Sequence, residues 1–569
     1  MTQPVAVDFE TQGIELRPTY PPVPVGVALR WPGQRSKYLA WGHPCENNST
    51  KAEAVRELRA AWRHPGGVLF HNAAFDLAVA EKHLGLPWPA WHQFHDTKLL
   101  AFLADPYSRA LKLKLLAAEH LGMAPDEQEQ LRDWVVANVP EAKRKPKQWA
   151  AYICRAPGSL ARKYAKGDTD RTLGLFKFYK PTRDAMPAAY ERERRVLEVL
   201  EEMSDVGFPV SSDIEQIYAD APAQRHRLEA WLRRRLGVGK TFDLAKRDAL
   251  CDAVEDAGML SEWIETKTGK RSLAHEDFGL VCQDVQFAAA LHQRGAMQTI
   301  ENTFLRRWCD MHQQTGRVHV SWNSVAGDDK GARSGRLSST PNAQNISKQG
   351  PAKSVVRGVQ QVNLREVVKT GHGLRLVVAD YAQQEPRQAA HFAGGAIAQA
   401  YRTNPGLDFH TNTMRKMSEF GVELPRDDAK TLGLALLYAL GLDALSQKMD
   451  GCGRAEASRR RKIFKKAMPE FQALDRELKT RWESGLPIVT WGGREVYCEA
   501  ATGGRSFAYR ALNYVCQGSS ADQMKQAMID YHDDPKREGS LILSVHDEPV
   551  VEVAAKAARE EAQRLVGHM

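Results

Sequence analysis

Leu374-Arg-Leu-Val-Val-Ala-Asp380-Tyr-Ala-Gln-Gln-Glu385-Pro-Arg387 is the stretch on which the reading of this sequence turns. Its run Leu376-Val377-Val378-Ala379 is short, apolar and partly β-branched, the pattern of a strand buried on both faces, and it ends on a carboxylate, Asp380. A charge at the mouth of a buried strand needs a partner, and a divalent cation is one that also gives it work. Taken alone, an aspartate in this place is more often a turn residue or a helix cap. The rest of the chain has to decide.

The chain has 569 residues, enough for several cores, and a formal net charge of +9 with 26% charged residues of both signs. This surface is biased toward polyanions, and nucleic acid is the natural partner class, although ordinary enzymes also carry a mild basic excess. Eight cysteines include no C-x-x-C pair and no repeated spacing, which argues against a zinc site and a disulfide framework and for a reducing compartment. The N-terminus lacks the pattern of a signal peptide, and no window approaches about 18 uninterrupted apolar residues. The expectation is a cytoplasmic protein with no membrane partner.

Val5-Ala6-Val7-Asp8-Phe9-Glu10 reads as a strand whose period of two puts Asp8 and Glu10 on one face. Two ionised carboxylates so close either share a cation or sit on a well-solvated edge strand. After Gly67-Val68-Leu69-Phe70, Asn72 is placed to cap a helix carrying Asp76 one turn in. In Tyr164-Ala-Lys-Gly-Asp168, tyrosine and aspartate share a helix face at i and i+4. The run Glu141-Ala-Lys143-Arg144-Lys145-Pro-Lys147-Gln148 is a basic, Pro-broken loop, read as solvated surface able to touch a single strand.

Asp8-x-Glu10, Asn72-x-x-x-Asp76 and Tyr164-x-x-x-Asp168, in this order, resemble the three motifs of the 3′-to-5′ proofreading exonuclease of DNA polymerase I-like enzymes, and His95-Asp96-Thr97 resembles the segment after the second motif. The resemblance implies an RNase H-like exonuclease domain. In it Asp8, Glu10, Asp76 and Asp168 hold two metal ions for phosphodiester hydrolysis, and Tyr164 positions the attacking water.

Apolar residues at helical spacing in Tyr190–Val206 precede the break Gly207-Phe-Pro-Val210, and the stretch Arg225–Leu236 is amphipathic. Its basic face either follows a phosphate backbone or is simply solvated. Thr266-Lys-Thr-Gly269 and Ser334-Gly-Arg336-Leu-Ser-Ser-Thr-Pro-Asn342-Ala-Gln344-Asn345-Ile346 resemble elements of the same polymerases. By that resemblance Arg336 reads the primer terminus, and Asn342, Gln344 and Asn345 contact the primer-template duplex. Asp380-Tyr-Ala-Gln-Gln-Glu385-Pro386-Arg resembles motif A. Asp380 then holds the catalytic metals and Glu385 closes the pocket against a ribose 2′-OH, with Pro386 as a departure that shifts the gate.

Asp408-Phe-His410-Thr precedes a predicted helix. Arg426, Lys430, Leu434 and Tyr438 then recur at i+4 as one stripe, two cations and an aromatic suited to a triphosphate and its base. This resembles motif B, which assigns Arg426, Lys430, His410 and Tyr438 to the incoming nucleotide and places Lys430 in the catalytic set. Leu434 and Ala439 depart from the pattern, with Gly441 as a shifted C-cap. Arg459–Lys466 is a basic cluster that meets template phosphates or is solvated. Trp491-Gly-Gly-Arg494 resembles a Gly-Arg-Arg turn, and Asn513-x-x-x-Gln517 an element of the minor-groove side, with Arg510 outside it.

Leu541–Val551, two apolar runs around His546-Asp547-Glu548, is the pattern of a hairpin with acids at its turn. It resembles motif C, with Asp547 and Glu548 catalytic and His546 near the primer end.

The resemblance covers nearly the whole chain and implies a family A DNA polymerase with proofreading, most like bacteriophage replicative forms. The fold expected is α/β and α+β, an exonuclease domain at 1–185 followed by a right-hand polymerase. The polymerase would comprise thumb and palm entry at 186–345, palm with motif A at 346–410, fingers with motif B at 411–485, and palm with motif C at 486–569. The implied cofactors are two Mg²⁺ per active site, with Mn²⁺ as an alternative. The implied partners are deoxynucleoside triphosphates and primer-template DNA, bound by a monomer. The sequence before Asp8 leaves no room for a 5′ nuclease, no inserted processivity loop stands out, and only 22 residues follow Asp547, which raises the expectation of an abbreviated palm. The competing reading, an exonuclease with a degenerate polymerase half, rests on that shortness and on Pro386, Leu434 and Ala439.

Overall fold

Five strands carry the N-terminal third: β1 (Val5–Thr11), β2 (Pro24–Arg30), β3 (Lys37–Ala40), β4 (Val68–Phe70) and β5 (Phe94–Asp96). The computed structural model describes residues 2–108, 110–260, 262–266, 268–325, 333–346, 353–360, 362–449, 452–500 and 506–569, so Lys267 of the basic turn lies outside the described residues. The sheet order is β3-β2-β1-β4-β5, antiparallel from β3 to β1 and parallel from β1 to β5. β1 is therefore central, with Val5, Ala6, Val7 and Phe9 buried, and the solvated-edge alternative for Asp8 and Glu10 does not hold. Around it stand α1 (Ala73–Leu84), α2 (Thr97–Ala104), α3 (Leu113–Leu121), α4 (Gly158–Phe178) and α5 (Pro187–Val206).

Asn72 occupies the N-cap position of α1 but does not cap it. Its backbone is left-handed, with φ of +81°, and its side chain accepts from Lys98 Nζ at 3.0 Å. The carboxylate of Asp96 takes over, accepting from Asn72 N and Ala73 N while also capping α2 through Lys98 N. One buried acid thus satisfies the starts of two helices, which a short-range reading of Asn72 has no means of seeing.

By compactness the chain divides into two units, Met1–Asp205 with Ser321–Ser338 and Val377–Met569, and Val206–Val320 with Ser339–Leu376. The second is helical, as its periodicity predicts, and α6 (Asp213–Leu236) buries Leu228, Leu232 and Leu236 with Val254 and Phe287. The arginines of α6 are largely engaged inside the unit. Arg225 pairs with Glu301 and Glu229, Arg233 with Glu229, Arg235 with Asp284, and Arg227 donates to Gly358 O. The phosphate-following face expected there is reduced accordingly.

In the first unit, β7 (Ser540–Val545) pairs with β8 (Glu548–Ala554), and β6 (Leu374–Val378), which enters that unit at Val377, completes the sheet order β6-β8-β7. β6 is an edge strand covered on one face: Val377 is buried while Val378 is 54% exposed, so burial on both faces is not realised. Helices α7 (Gln384–Ala393), α8 (Phe409–Ser418), α9 (Arg426–Leu437) and α10 (Ala511–His532) complete the part that bears the remaining motifs. All eight cysteines are free, and among the described residues no helix is long and apolar enough to cross a membrane.

The stripe predicted on α9 holds for Arg426, Lys430 and Leu434, but the helix ends at Leu437 and Tyr438 is its C-cap, donating from its N–H to Leu434 O at 2.8 Å. Ala439 follows in the left-handed region at φ +51°, and Gly441 is extended and opens the next helix, Leu442–Lys448, so it is not the shifted cap. An alanine here bears the cost that glycine avoids. Ala439→Gly is expected to stabilise this helix end by about 0.5–1 kcal/mol after the entropy of glycine is subtracted, seen as slower amide exchange in a peptide spanning 435–442. Faster exchange there would contradict the left-handed cap.

Candidate active sites

The nuclease-type site is built by one strand and two helices. Asp8 and Glu10 project from β1, Asp168 from α4 one turn after Tyr164, and Asp76 from α1, where its Oδ1 accepts from Phe9 N at 3.0 Å. That bond fixes Asp76 against the strand between the other two acids. One oxygen each from Asp8, Glu10 and Asp168 lie within 4.8 Å of one another, the one group of such tightness among the described residues.

Burial holds the carboxyls of Asp8, Glu10 and Asp76 well above the usual carboxylate range, and repulsion among Asp8, Glu10, Asp76 and Asp168 adds to it. Asp168 is raised too, by burial, against the pull of Lys114 and Arg171. Three hard oxygen donors this close, costly to ionise without a counter-charge, fit a divalent cation of the magnesium or manganese kind.

Sequence reasoning missed Lys114. Its Nζ lies 3.2 Å from Asp168 Oδ2 and 3.4 Å from the centroid of the Tyr164 ring, so it neutralises the site and holds the tyrosine face. Burial, then Asp168, pushes the Tyr164 hydroxyl well above its usual value, which keeps it an O–H donor. The available signal for Lys114 was only a lysine in the pattern Leu-Lys-Leu-Lys-Leu-Leu, indistinguishable from a solvated helix face.

In the second site Asp380 follows β6, and Asp547 is the second residue of the two-residue turn from β7 to β8. On either side of Asp380, Ala379 N donates to Pro549 O and Tyr381 N to Asp547 O, both at 3.3 Å. Residues far apart in sequence are thereby set side by side. Asp380, Asp547 and Glu548, the last buried at the start of β8, are not drawn into a cluster as tight as the first site. His546 takes φ +62°, a positive value at the first turn residue, as a two-residue hairpin of the II′ kind requires.

The side chains predicted around nucleotide and primer fall into two groups. His410, Arg426 and Lys430 are neighbours: Asp408 accepts from Arg426 Nε and Nη2, both at 3.1 Å, and burial lowers the His410 imidazole, with Arg426 and Lys430 acting in the same direction. Glu385 is buried and ion-paired to Arg336, and its charge, after burial, helps hold the nearby Tyr438 hydroxyl above its usual range. Asn513 shares the face of α10 with Gln517 at i+4. Arg510 instead pairs with Glu499. In the second unit, Asn342 Oδ1 accepts from Gln344 N and Asn345 N at 2.9 and 3.0 Å, so its side chain shapes its own loop.

Asp408 was visible only as a residue before a helix. Besides Arg426 it accepts from Thr411 N as an N-cap and from Gln383 Nε2 at 2.9 Å, and Gln383 Oε1 accepts from Phe409 N. Gln383 is held at φ +56° just inside motif A.

Residues 212–569 match the family described as DNA polymerase family A, and residues 1–182 the family described as 3'-5' exonuclease. The DNA polymerase I of Chloroflexus aurantiacus is 28% identical over 99% of this chain and 58% of that protein, and the thermostable DNA polymerase I of Thermus filiformis is 30% identical over 66% of this chain and 45% of that protein. The DNA polymerase of Mycobacterium phage L5 is 26% identical over 93% of this chain and 84% of that protein. The chain thus spans about half the length of the DNA polymerase I relatives. In fold it is similar to the structure "POL domain of Pol1 from M. smegmatis complex with DNA primer-template and dNTP", with a TM-score of 0.75 at 22% identity over 99% of this chain and 91% of that one. With more than half of its length matched, and with the acidic groups of strand, turn and helix in the order described, the chain belongs to DNA polymerase family A and carries an N-terminal 3'-5' exonuclease domain.

Proposed function

We propose that this chain extends a DNA primer on a template and removes nucleotides from a single-stranded 3′ end at a separate site. The observation that supports the synthetic reading is the pair of backbone bonds flanking Asp380, which brings the chain at Asp380 alongside the turn that bears Asp547. Asp380 and Asp547 in the one site, and Asp8, Glu10, Asp76 and Asp168 in the other, are the residues that would hold divalent cations, with magnesium the ordinary occupant and two ions per site. When bound, such cations lower the pKa of the attacking oxygen and stabilise the charge on the leaving one.

The protein's own residues supply the rest. Arg426 and Lys430 present cationic donors to a triphosphate. Buried His410 stays neutral near pH 7 and offers an N–H without another charge. Glu385, pinned by Arg336, is a carboxylate wall where a ribose 2′-OH would sit, while Arg336, Asn513, Gln517 and His546 are donors for the primer side. Asn342, Gln344 and Asn345 contribute to duplex binding in this reading. At the other site the Tyr164 hydroxyl, kept protonated, orients water toward the phosphorus.

Asp547→Ala is expected to reduce primer extension by at least about 10²–10³-fold and leave degradation of single strands intact, and Asp8→Ala with Glu10→Ala to do the reverse. Loss of both activities in either variant would refute two independent sites.

The acids at the first site bind protons more readily folded than unfolded, so their unfavourable effect is full above their raised pKa and is relieved as pH falls through it. In chelator, Asp8→Asn with Glu10→Gln should stabilise the protein at pH 8, with the advantage shrinking toward about pH 5. Millimolar Mg²⁺ should reverse the advantage at pH 8, because only the unaltered site gains binding energy. A pH-independent difference in thermal midpoint would count against the cluster. Lys114→Met should have the opposite sign, lowering the midpoint in chelator and enlarging the gain on adding Mg²⁺. An unaltered gain would remove Lys114 from the site's charge balance.

A further inference from the structure

The basic run after residue 140 has no role in the chemistry above, yet its placement gives it one. It forms a short helix, Pro140–Arg144, and a 3₁₀ segment, Pro146–Arg155. Lys143, Arg144, Lys145 and Lys147 are all exposed, and among the described residues no ion pair takes any of them. The segment nevertheless has a defined shape, because Arg155 Nη1 bonds Glu141 Oε2 at 2.9 Å and ties its two ends together.

Its aromatic residues lead to the nuclease-type site. The half-buried Trp149 stands edge-on to Tyr164, with ring centroids 6.1 Å apart and planes at 87°. Trp134, Tyr152 and Leu160 back this shelf over the small core of Leu131, Val135 and Ile153. A Cβ placed on Gly13, two residues beyond β1, would lie 3.2 Å from Ala151 O, so the segment also packs beside the end of the strand that bears Asp8 and Glu10. From Trp149 back to Lys143 the chain can reach at most about 20 Å, so all four cations lie within a few nucleotides of Tyr164.

Divalent cations and Lys114 would neutralise the acids at the site itself, and a cationic approach beside it would draw in the polyanion the site must receive. Exposed cations beside a fixed aromatic shelf suit an unpaired strand, whose phosphates follow the charges and whose bases can stack. We propose that the 140–155 segment is the approach track for the single-stranded 3′ end, with Lys143, Arg144, Lys145 and Lys147 on its phosphates and Trp149 under a base next to Tyr164. This rests on the nuclease reading of the site.

The test uses the full chain with all four cations changed to Gln. On a single-stranded oligonucleotide at about 0.1 M salt, KM should rise at least about tenfold with kcat nearly unchanged. In the Asp8→Ala, Glu10→Ala background with chelator, the slope of log affinity against log salt for a labelled oligonucleotide should fall by about 0.7 for each phosphate that is no longer neutralised. Hydrolysis of the p-nitrophenyl ester of thymidine 5′-monophosphate, too small to reach the track, and primer extension should both match the unaltered protein. A second variant that exchanges each of the four lysines and arginines for the other should retain the original KM and slope. If the unaltered chain cleaves the ester and the oligonucleotide while the Gln variant keeps the same KM and salt slope, the track is wrong. If the unaltered chain cleaves neither, the nuclease reading itself fails and the track falls with it.

Discussion

One carboxylate without access to solvent, Asp522 on α10, organises the half of the molecule that bears Asp380 and Asp547. Its Oδ1 accepts from Arg494 Nε at 2.7 Å and its Oδ2 from Thr490 Oγ1 at 2.5 Å, with Arg192 of α5 a further 3.8 Å ion-pair partner. One turn on, the fully buried Lys525 grips Glu193 of α5 at 2.6 and 2.7 Å, 332 residues away in sequence, and donates also to Ser324 O. Removing one member of such a buried pair strands the other and costs about 3–5 kcal/mol. The helix that follows the exonuclease domain and the long helix of the polymerase part are therefore held in one register. There is no space for variation: a Cβ on Gly492 would collide with the guanidinium of Arg192.

That network reaches the chemistry. Arg494 Nη2 donates to Ser334 O and Gly518 O at 2.7 and 2.9 Å, and Gly335, at φ +86°, lies so close over the guanidinium that a Cβ would meet it at 2.5 Å. The next residue is Arg336, whose guanidinium holds Glu385, and Glu385 lies near Tyr438 at the end of α9. A buried ion pair thus sets a backbone carbonyl, the carbonyl sets a loop, and the loop aims the arginine that pairs with Glu385 of motif A.

How much of this was legible depends on the distance over which each residue acts. The period of two in Val5–Glu10 and the i+4 spacing of Tyr164 and Asp168 are local facts, and both survive folding intact. The two-residue turn at His546-Asp547 is equally local. By contrast, whether β6 is central or at an edge depends on how many strands pair with it, and the apolar run Leu376–Ala379 cannot say. Asn72 carries the right side chain for a cap, but Asp96, 24 residues later, delivers two acceptors to the same amides. Lys114 and Asp522 are illegible for the same reason: a lysine on a helix and an aspartate in Gly-Ser-Ser-Ala-Asp acquire meaning only from partners brought by other elements. The arginines of α6 form a basic stripe in sequence, yet acids from three places in the second unit neutralise much of it.

The two acidic sites also differ in how firmly they are made. The first sits in the middle of a five-stranded sheet, where Phe9 N fixes Asp76 and burial fixes the rest. The second rests on an edge strand joined to Asp547 and Pro549 through two 3.3 Å bonds, at the long end of what such bonds allow. Backbone strain is found at both: Asn72, at φ +81°, opens the helix that carries Asp76. Gln383, Ala439 and His546, at φ of +56°, +51° and +62°, flank motifs A, B and C in turn, and each such residue costs about 1–3 kcal/mol. Gln383 is held there by Asp408 and Phe409 N, and Asp408 is also the partner of Arg426. One carboxylate therefore both restrains a strained residue three positions from Asp380 and pairs with the first residue of α9, so the segments of motifs A and B share an anchor.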